Sequence, residues 1–135
     1  MPNVVAIQEL NNGPRNLVLK LDIEGDGVTE LEEFLVEVGN YTCDEVRLDG
    51  VQGHMDTFSL DLVWDGPTEA HLFTVNGDLD FDQYDWSRHG GLTNPKVAGY
   101  SGDVLMRSRG LGNGEIASLV FRFVKKRKNT RAMVP

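Results

Sequence analysis

The sequence predicts an all-β fold, a single-domain antiparallel β-sandwich or barrel with a long glycine-rich loop and extended termini. Three observations carry this. Apolar residues alternate with polar ones in several short segments. Turn signals recur at intervals of about a dozen residues, the spacing of small sandwiches and barrels. A chain of 135 residues with 40% hydrophobic and 25% charged residues has the size and composition of one globular domain.

The elements follow in order. Residues 1–12 read as an N-terminal arm, residues 13–126 as the β-domain, and residues 127–135 as a basic C-terminal arm. Gly13-Pro14 is a turn signal. After it, Leu17, Leu19, Leu21 and Ile23 alternate with Val18, Lys20 and Asp22, as in a half-buried strand. Residues 29–38 are ambiguous. Leu31, Phe34, Leu35 and Val38 have helical spacing, and Thr29 with Glu32 resembles a capping box. Phe34, Val36 and Val38 also alternate, and the segment is read as a strand starting near Glu33. Val46, Leu48 and Val51 suggest another short strand.

Phe58, Leu60, Leu62 and Trp64 form the cleanest alternation, closed by Asp65-Gly66-Pro67. Residues 72–75 read as a strand ended by Asn76-Gly77, a hairpin signal because both turn residues tolerate positive φ. Residues 103–107 and 119–124 read as two strands of a long hairpin across the glycine-rich residues 110–114. Between them, residues 89–102 contain four glycines and a proline without periodicity. A loop of that length in a small domain is either functional or a packed omega-type connection.

Charge is unevenly placed. The net charge is −8. Residues 1–100 hold 5 Lys/Arg against 19 Asp/Glu, net −14; residues 101–135 hold 8 against 2, net +6. The cations Lys125, Lys126, Arg127, Lys128 and Arg131 fall within seven residues. Such a segment can neutralise phosphates, but no aromatic is interleaved for base stacking, and the acidic body repels nucleic acid. No specific nucleic-acid partner is expected. The segment is read as a connector to acidic neighbours, including copies of the chain itself, with a solvated tail as the plain alternative.

Cys43 is the single cysteine, which excludes an intrachain disulfide and a cysteine zinc site. No apolar run approaches the roughly 18–20 residues of a membrane helix. Residues 1–10 lack the pattern of a secretory signal. No membrane partner is expected.

Candidate chemistry is sparse. Asp22, Glu24, Asp26, Gly27 and Glu33 nearly match a calcium-binding EF-hand loop. Glu24 replaces the usual Asp or Asn, Thr29 sits at an apolar position, and a strand leads in where a helix belongs. The plain reading is a polar inter-strand loop. Asp78, Asp80, Asp82 and Asp85 alternate with apolar residues and read as the wet face of a strand or turn. His54, His71 and His89 are far apart in sequence, and no Gly-x-Ser-x-Gly elbow occurs. No catalytic residue, metal or cofactor is expected. Trp86, Arg88 and Tyr100 in or beside the long loop are of the types favoured as interface anchors; core packing is the alternative for Trp86.

The order of motifs carries a resemblance. Gly13-Pro14-Arg15-Asn16, a strand ending Leu62-Val63-Trp64-Asp65, Gly90-Gly91-Leu92 with Asn94-Pro95, Gly102-Asp103-Val104-Leu105, and a closing strand ending Lys125-Lys126 resemble small virion structural proteins of tailed bacteriophages. The resemblance implies a non-enzymatic, all-β protein assembled into the virion after synthesis in the host cytoplasm. Its partners would be the major capsid protein and copies of itself. A capsid decoration (cement) protein is the favoured member. A head–tail joining or tail protein is the alternative, and a calcium-dependent β-sandwich module a more distant one. The long acidic stretch and the residues after Arg127 depart from the family pattern.

Overall fold

The computed structural model describes residues 3–76, 79–93 and 101–126. Nine strands occur in chain order: β1 (Val4–Asn12), β2 (Asn16–Glu24), β3 (Glu32–Val36), β4 (Glu45–Met55), β5 (Ser59–Trp64), β6 (Ala70–Val75), β7 (Leu79–Asp85), β8 (Val104–Arg109) and β9 (Ile116–Lys126). Two short 3-10 turns, Val38–Tyr41 and Ser87–His89, are the helical elements among the described residues. The strands form a five-stranded sheet, β1-β2-β9-β4-β7, and a four-stranded sheet, β3-β8-β5-β6. All named pairings are antiparallel. Among the described residues the two sheets make an all-β sandwich, and neither closes into a barrel.

Alternation builds the core. Leu17, Leu19 and Leu21 of β2 face inward beside Leu119, Phe121 and Phe123 of β9, and Val46, Leu48, Val51 and Met55 of β4 extend the same layer. The other sheet contributes Leu60, Leu62 and Trp64 of β5 with Val104 and Met106 of β8. Each fully buried side chain of this size contributes about 1.5–3 kcal/mol.

Four expectations change. Residues 4–12 are a strand rather than an arm: β1 pairs along β2 as the edge of the larger sheet. β4 is eleven residues long, not short. Asp49 is an extra residue opposite β9, a bulge that shifts the alternation from Leu48 to Val51. Gly53 then leaves the next inward position without a side chain.

The two expected hairpins are crossings between sheets. β6 lies at the edge of the four-stranded sheet, whereas β7 pairs with β4 in the other. β8 and β9 likewise belong to different sheets. The β8–β9 connection drives Leu111 into the core, which a solvent-exposed hairpin turn would not do. Gly77, half of the Asn-Gly signal, lies outside the described residues, as do residues 94–100 of the long loop and the segment 127–135.

The described parts of the long loop are anchored at both ends. Leu48 and Leu92 exchange backbone hydrogen bonds of 2.9 and 2.8 Å. The Ser101 N–H donates to the Asp65 carbonyl at 3.1 Å, and its hydroxyl donates to the Asp65 carboxylate at 2.9 Å.

Candidate interaction surfaces

The first surface lies where β6 and β7 close one side of the sandwich. Tyr84 lies near the end of β7, Trp86 lies just past it, and the two side chains come together on one side. Their rings stack with centroids 5.8 Å apart and planes 4° apart. Phe73 of β6 meets both edge-on, at 5.0 Å from Tyr84 and 4.7 Å from Trp86. These geometries suit aromatic quadrupoles and favour each pair by about 0.5–1.5 kcal/mol beyond area burial. Trp86 is half-buried in this cluster, so packing accounts for much of its surface.

Arg88 lies on the 3-10 turn that follows and is exposed. The turn is fixed by Asp85, which accepts from the Ser87 N–H at 2.9 Å and the Ser87 hydroxyl at 2.7 Å. The Ser87 hydroxyl and N–H hold the Asp85 carboxyl below its usual range, with Arg122 and Arg88 adding to the effect.

A second feature is a groove on the outer face of the larger sheet, about 190 Å³, lined by Asn11, Asn16, Val18, Asp49 and Arg122. Register places Val18, Arg122, Gly50 and Asp85 in one row across β2, β9, β4 and β7. Asp49 is engaged by Arg47, with Nε–Oδ1 at 2.9 Å. Arg122 Nε and Nη2 are buried without a hydrogen-bond partner, and Nη2 stands 3.7 Å from Asp85 Oδ2. Residue types alone do not expose this row; the bulge at Asp49 creates it.

The basic residues divide. Lys125 Nζ donates to the Gly13 carbonyl at 2.8 Å and to Asn12 Oδ1, so it ties β9 to the β1–β2 turn. Lys126 ends β9 opposite Glu45. Tyr100, Arg127, Lys128 and Arg131 lie outside the described residues.

The carboxylates of the calcium-like stretch are dispersed. Asp22 and Glu24 lie on β2, and Glu33 lies on β3 in the other sheet. Asp26 accepts from the N–H groups of Val28 and Thr29 at 2.8 and 2.9 Å and from the Thr29 hydroxyl at 2.9 Å. These bonds hold its carboxyl below the usual range and make it the organiser of a loop. Among the described residues no three metal-ligating side chains converge on one point. Asp80 and Asp82 lie on β7, and Asp78 lies outside the described residues.

The histidines do not come together either. His54 lies 3.4 Å from Asp56. His71 Nε2 is 2.7 Å from Thr74 Oγ1, and that hydroxyl donates to Asp61 at 2.6 Å. With the one hydroxyl proton committed to Asp61, His71 must donate to Thr74 and cannot act as its base. Asp61 also accepts from Arg109 at 2.7 and 3.0 Å. The arrangement is a polar brace across β5, β6 and β8, unlike a nucleophile–base pair.

No protein-family model, curated protein or solved structure matches the chain.

Proposed function

We propose that the chain is a non-enzymatic virion structural protein of a tailed bacteriophage, a decoration protein that cements the expanded capsid. Its partners in this reading are the major capsid protein and neighbouring copies of itself. The observation that carries it is directional. β1 starts beside Glu24, and β9 starts beside Glu24 on its other flank and ends beside Asn16 and Glu45. The chain therefore enters the sandwich at one end and leaves it at the other. The end it enters carries Glu24, Asp26, Glu30, Asp56 and Glu115 in and around its loops. The end it leaves runs into the basic residues 125–131. Segments that leave opposite ends of a rigid body can reach different neighbours, and a cationic one suits an acidic surface such as that of a second copy. The motif order quoted above adds the virion setting.

The test is co-sedimentation of the full chain with expanded phage shells, with copy number read by mass spectrometry of purified particles. Saturable binding, at a copy number that scales with the capsid protein, is expected. Removal of residues 127–135 should weaken docking while leaving the thermal unfolding midpoint in place. Absence from particles, or full affinity of the truncated chain in moderate salt, overturns the reading. A few copies per particle would move the protein to the neck or tail.

A further inference from the structure

We infer that the β1 edge is a self-association surface, and that two copies join by antiparallel pairing of β1 with β1. The inference concerns the isolated chain and does not need the shell-docking reading to hold.

A sheet edge presents a row of backbone N–H and C=O groups, and the chemistry that satisfies such a row is another strand. The described strands end their sheets at β1, β7, β3 and β6. Three of these are poor surfaces for a copy of themselves. β7 carries Asp80, Asp82 and Asp85, so antiparallel self-pairing gathers like charges. β3 has five residues and begins Glu32-Glu33. β6 has six, and an extra residue at Leu72 breaks its register.

β1 differs in each respect. It is nine residues long and holds one charge, Glu9. An irregularity at Leu10 limits its regular stretch to residues 4–9. Val4, Ile7 and Leu10 are 55%, 38% and 48% exposed, which an ordinary solvent edge avoids.

The charge pattern selects the occupant. A two-fold axis between identical strands requires antiparallel pairing. Centred on Ala6, the pairing sets Glu9 opposite Asn3; centred on Ile7, it sets Glu9 opposite Val5. In both registers the single charge meets an uncharged residue, and Val4 meets Gln8 or Leu10. The β1 edge is thus compatible with its own copy over a longer regular stretch than β3 or β6 offers, and without the three carboxylates that β7 would bring to such a pairing. The product is one continuous sheet spanning two copies. Strand pairing alone buries less than a standard interface of about 1,600 Å², so the dimer should be weak and concentration-dependent.

The experiment is sedimentation velocity of the full chain over a concentration series, with circular dichroism to verify folding. A reversible monomer–dimer equilibrium is expected. Ile7→Lys should weaken it at least about tenfold, equivalent to about 1.4 kcal/mol. Phe34→Lys, an equally exposed apolar position on β3, should leave it unchanged. In a Cys43→Ser background, Ala6→Cys or Ile7→Cys should form an intermolecular disulfide, and whichever reacts identifies the register. A wild-type chain that stays monomeric throughout overturns the inference. So does a dimer that Ile7→Lys leaves intact, or one in which neither cysteine variant cross-links. A monomeric chain that still binds shells overturns the edge pairing alone; a dimer that fails to bind shells overturns the docking reading alone.

Discussion

Arg122 lies across Gly50 so closely that a Cβ at position 50 would stand 1.9 Å from Arg122 Nη2 and 2.9 Å from Nε. The two residues face each other across the β4–β9 ladder. The missing side chain lets the guanidinium rest against the sheet, where Nε and Nη2 lose water without gaining a hydrogen-bond partner.

This contact yields to substitution more easily than its distance implies. The obstructing atoms are the far end of a flexible side chain. In Gly50→Ala the arginine swings out and its buried donors regain water. That gain, about 1 kcal/mol or more, offsets the lost packing and a long ion pair with Asp85 that stabilises by about 0–1 kcal/mol. Gly50→Ala should therefore change stability by less than about 1 kcal/mol. Gly53→Ala is the contrast. Its φ is +143°, and a Cβ would lie 2.1 Å from the Ser118 carbonyl oxygen, a backbone atom that cannot swing away. It should cost about 2 kcal/mol or more. Urea unfolding of both variants makes the comparison; equal losses would show that Arg122 is held as firmly as backbone.

Glu30 fastens the β8–β9 crossing. Its carboxylate accepts from the Ser108 hydroxyl at 2.7 Å and from the N–H groups of Gly110 and Leu111 at 2.9 and 3.2 Å. The Ser108 hydroxyl is the main cause holding its carboxyl below the ordinary 4.5, and the two N–H groups act in the same direction. A depressed folded-state pKa means stability that is fully present above the unfolded value and lost as pH falls through the folded one. Glu30→Gln should thus lower stability by about 1 kcal/mol near neutral pH. The gap from wild type should close once both chains are below the folded pKa, since the wild-type carboxyl is then neutral too. Urea midpoints measured from neutral to strongly acid pH check the sign; a gap that widens with acidity would contradict it.

The cluster of Phe73, Tyr84 and Trp86 separates packing from partner contact. Trp86→Ala removes a stacked and an edge-on ring contact and should cost about 2 kcal/mol, below the range for a fully buried tryptophan because Trp86 is only half-buried. Trp86→Phe keeps an aromatic face and should recover more than half of that. If Trp86 is also an anchor for a partner, Trp86→Phe should fold stably yet dock more weakly. Thermal unfolding and co-sedimentation of the same two variants read the two roles apart.

What the sequence revealed follows from where alternation survives. β2, β5 and β9 have one face in the core, and their period of two is unbroken, so Leu17 to Ile23, Leu60 to Trp64 and Leu119 to Phe123 were legible as strands. β4 hid its length because the bulge at Asp49 shifts the phase and Gly53 blanks an inward position. β1 hid because an edge strand with little opposite it needs no alternation, and nearly all of it is exposed. The two crossings between sheets look like hairpins in the sequence because local turn chemistry is the same for both. The distinguishing sign was Leu111, an apolar residue inside a glycine-rich loop, which points to a loop tucked into the core. The surfaces were less legible still. Trp86 and Lys125 stand out by residue type, which does not tell a side chain used internally from one left for a partner.

Lys125 makes that distinction measurable. It sits in a run of cations whose sequence context suggests a common partner-binding role. Its ammonium nevertheless donates to the Gly13 carbonyl and to Asn12 Oδ1, closing the β1–β2 turn against the end of β9. The Lys125 N–H adds a backbone bond of 2.7 Å to the Arg15 carbonyl, which substitution leaves in place. Lys125→Ala should therefore lose only the side-chain bonds, about 0.5–1.5 kcal/mol, while Lys126→Ala should change stability by less than about 0.5 kcal/mol. In docking assays the order should reverse, with Lys126→Ala weakening salt-dependent binding more than Lys125→Ala. Equal stability losses would show that the turn does not depend on the ammonium. Equal docking losses would show that Lys125 leaves its internal partners when a surface is offered to it.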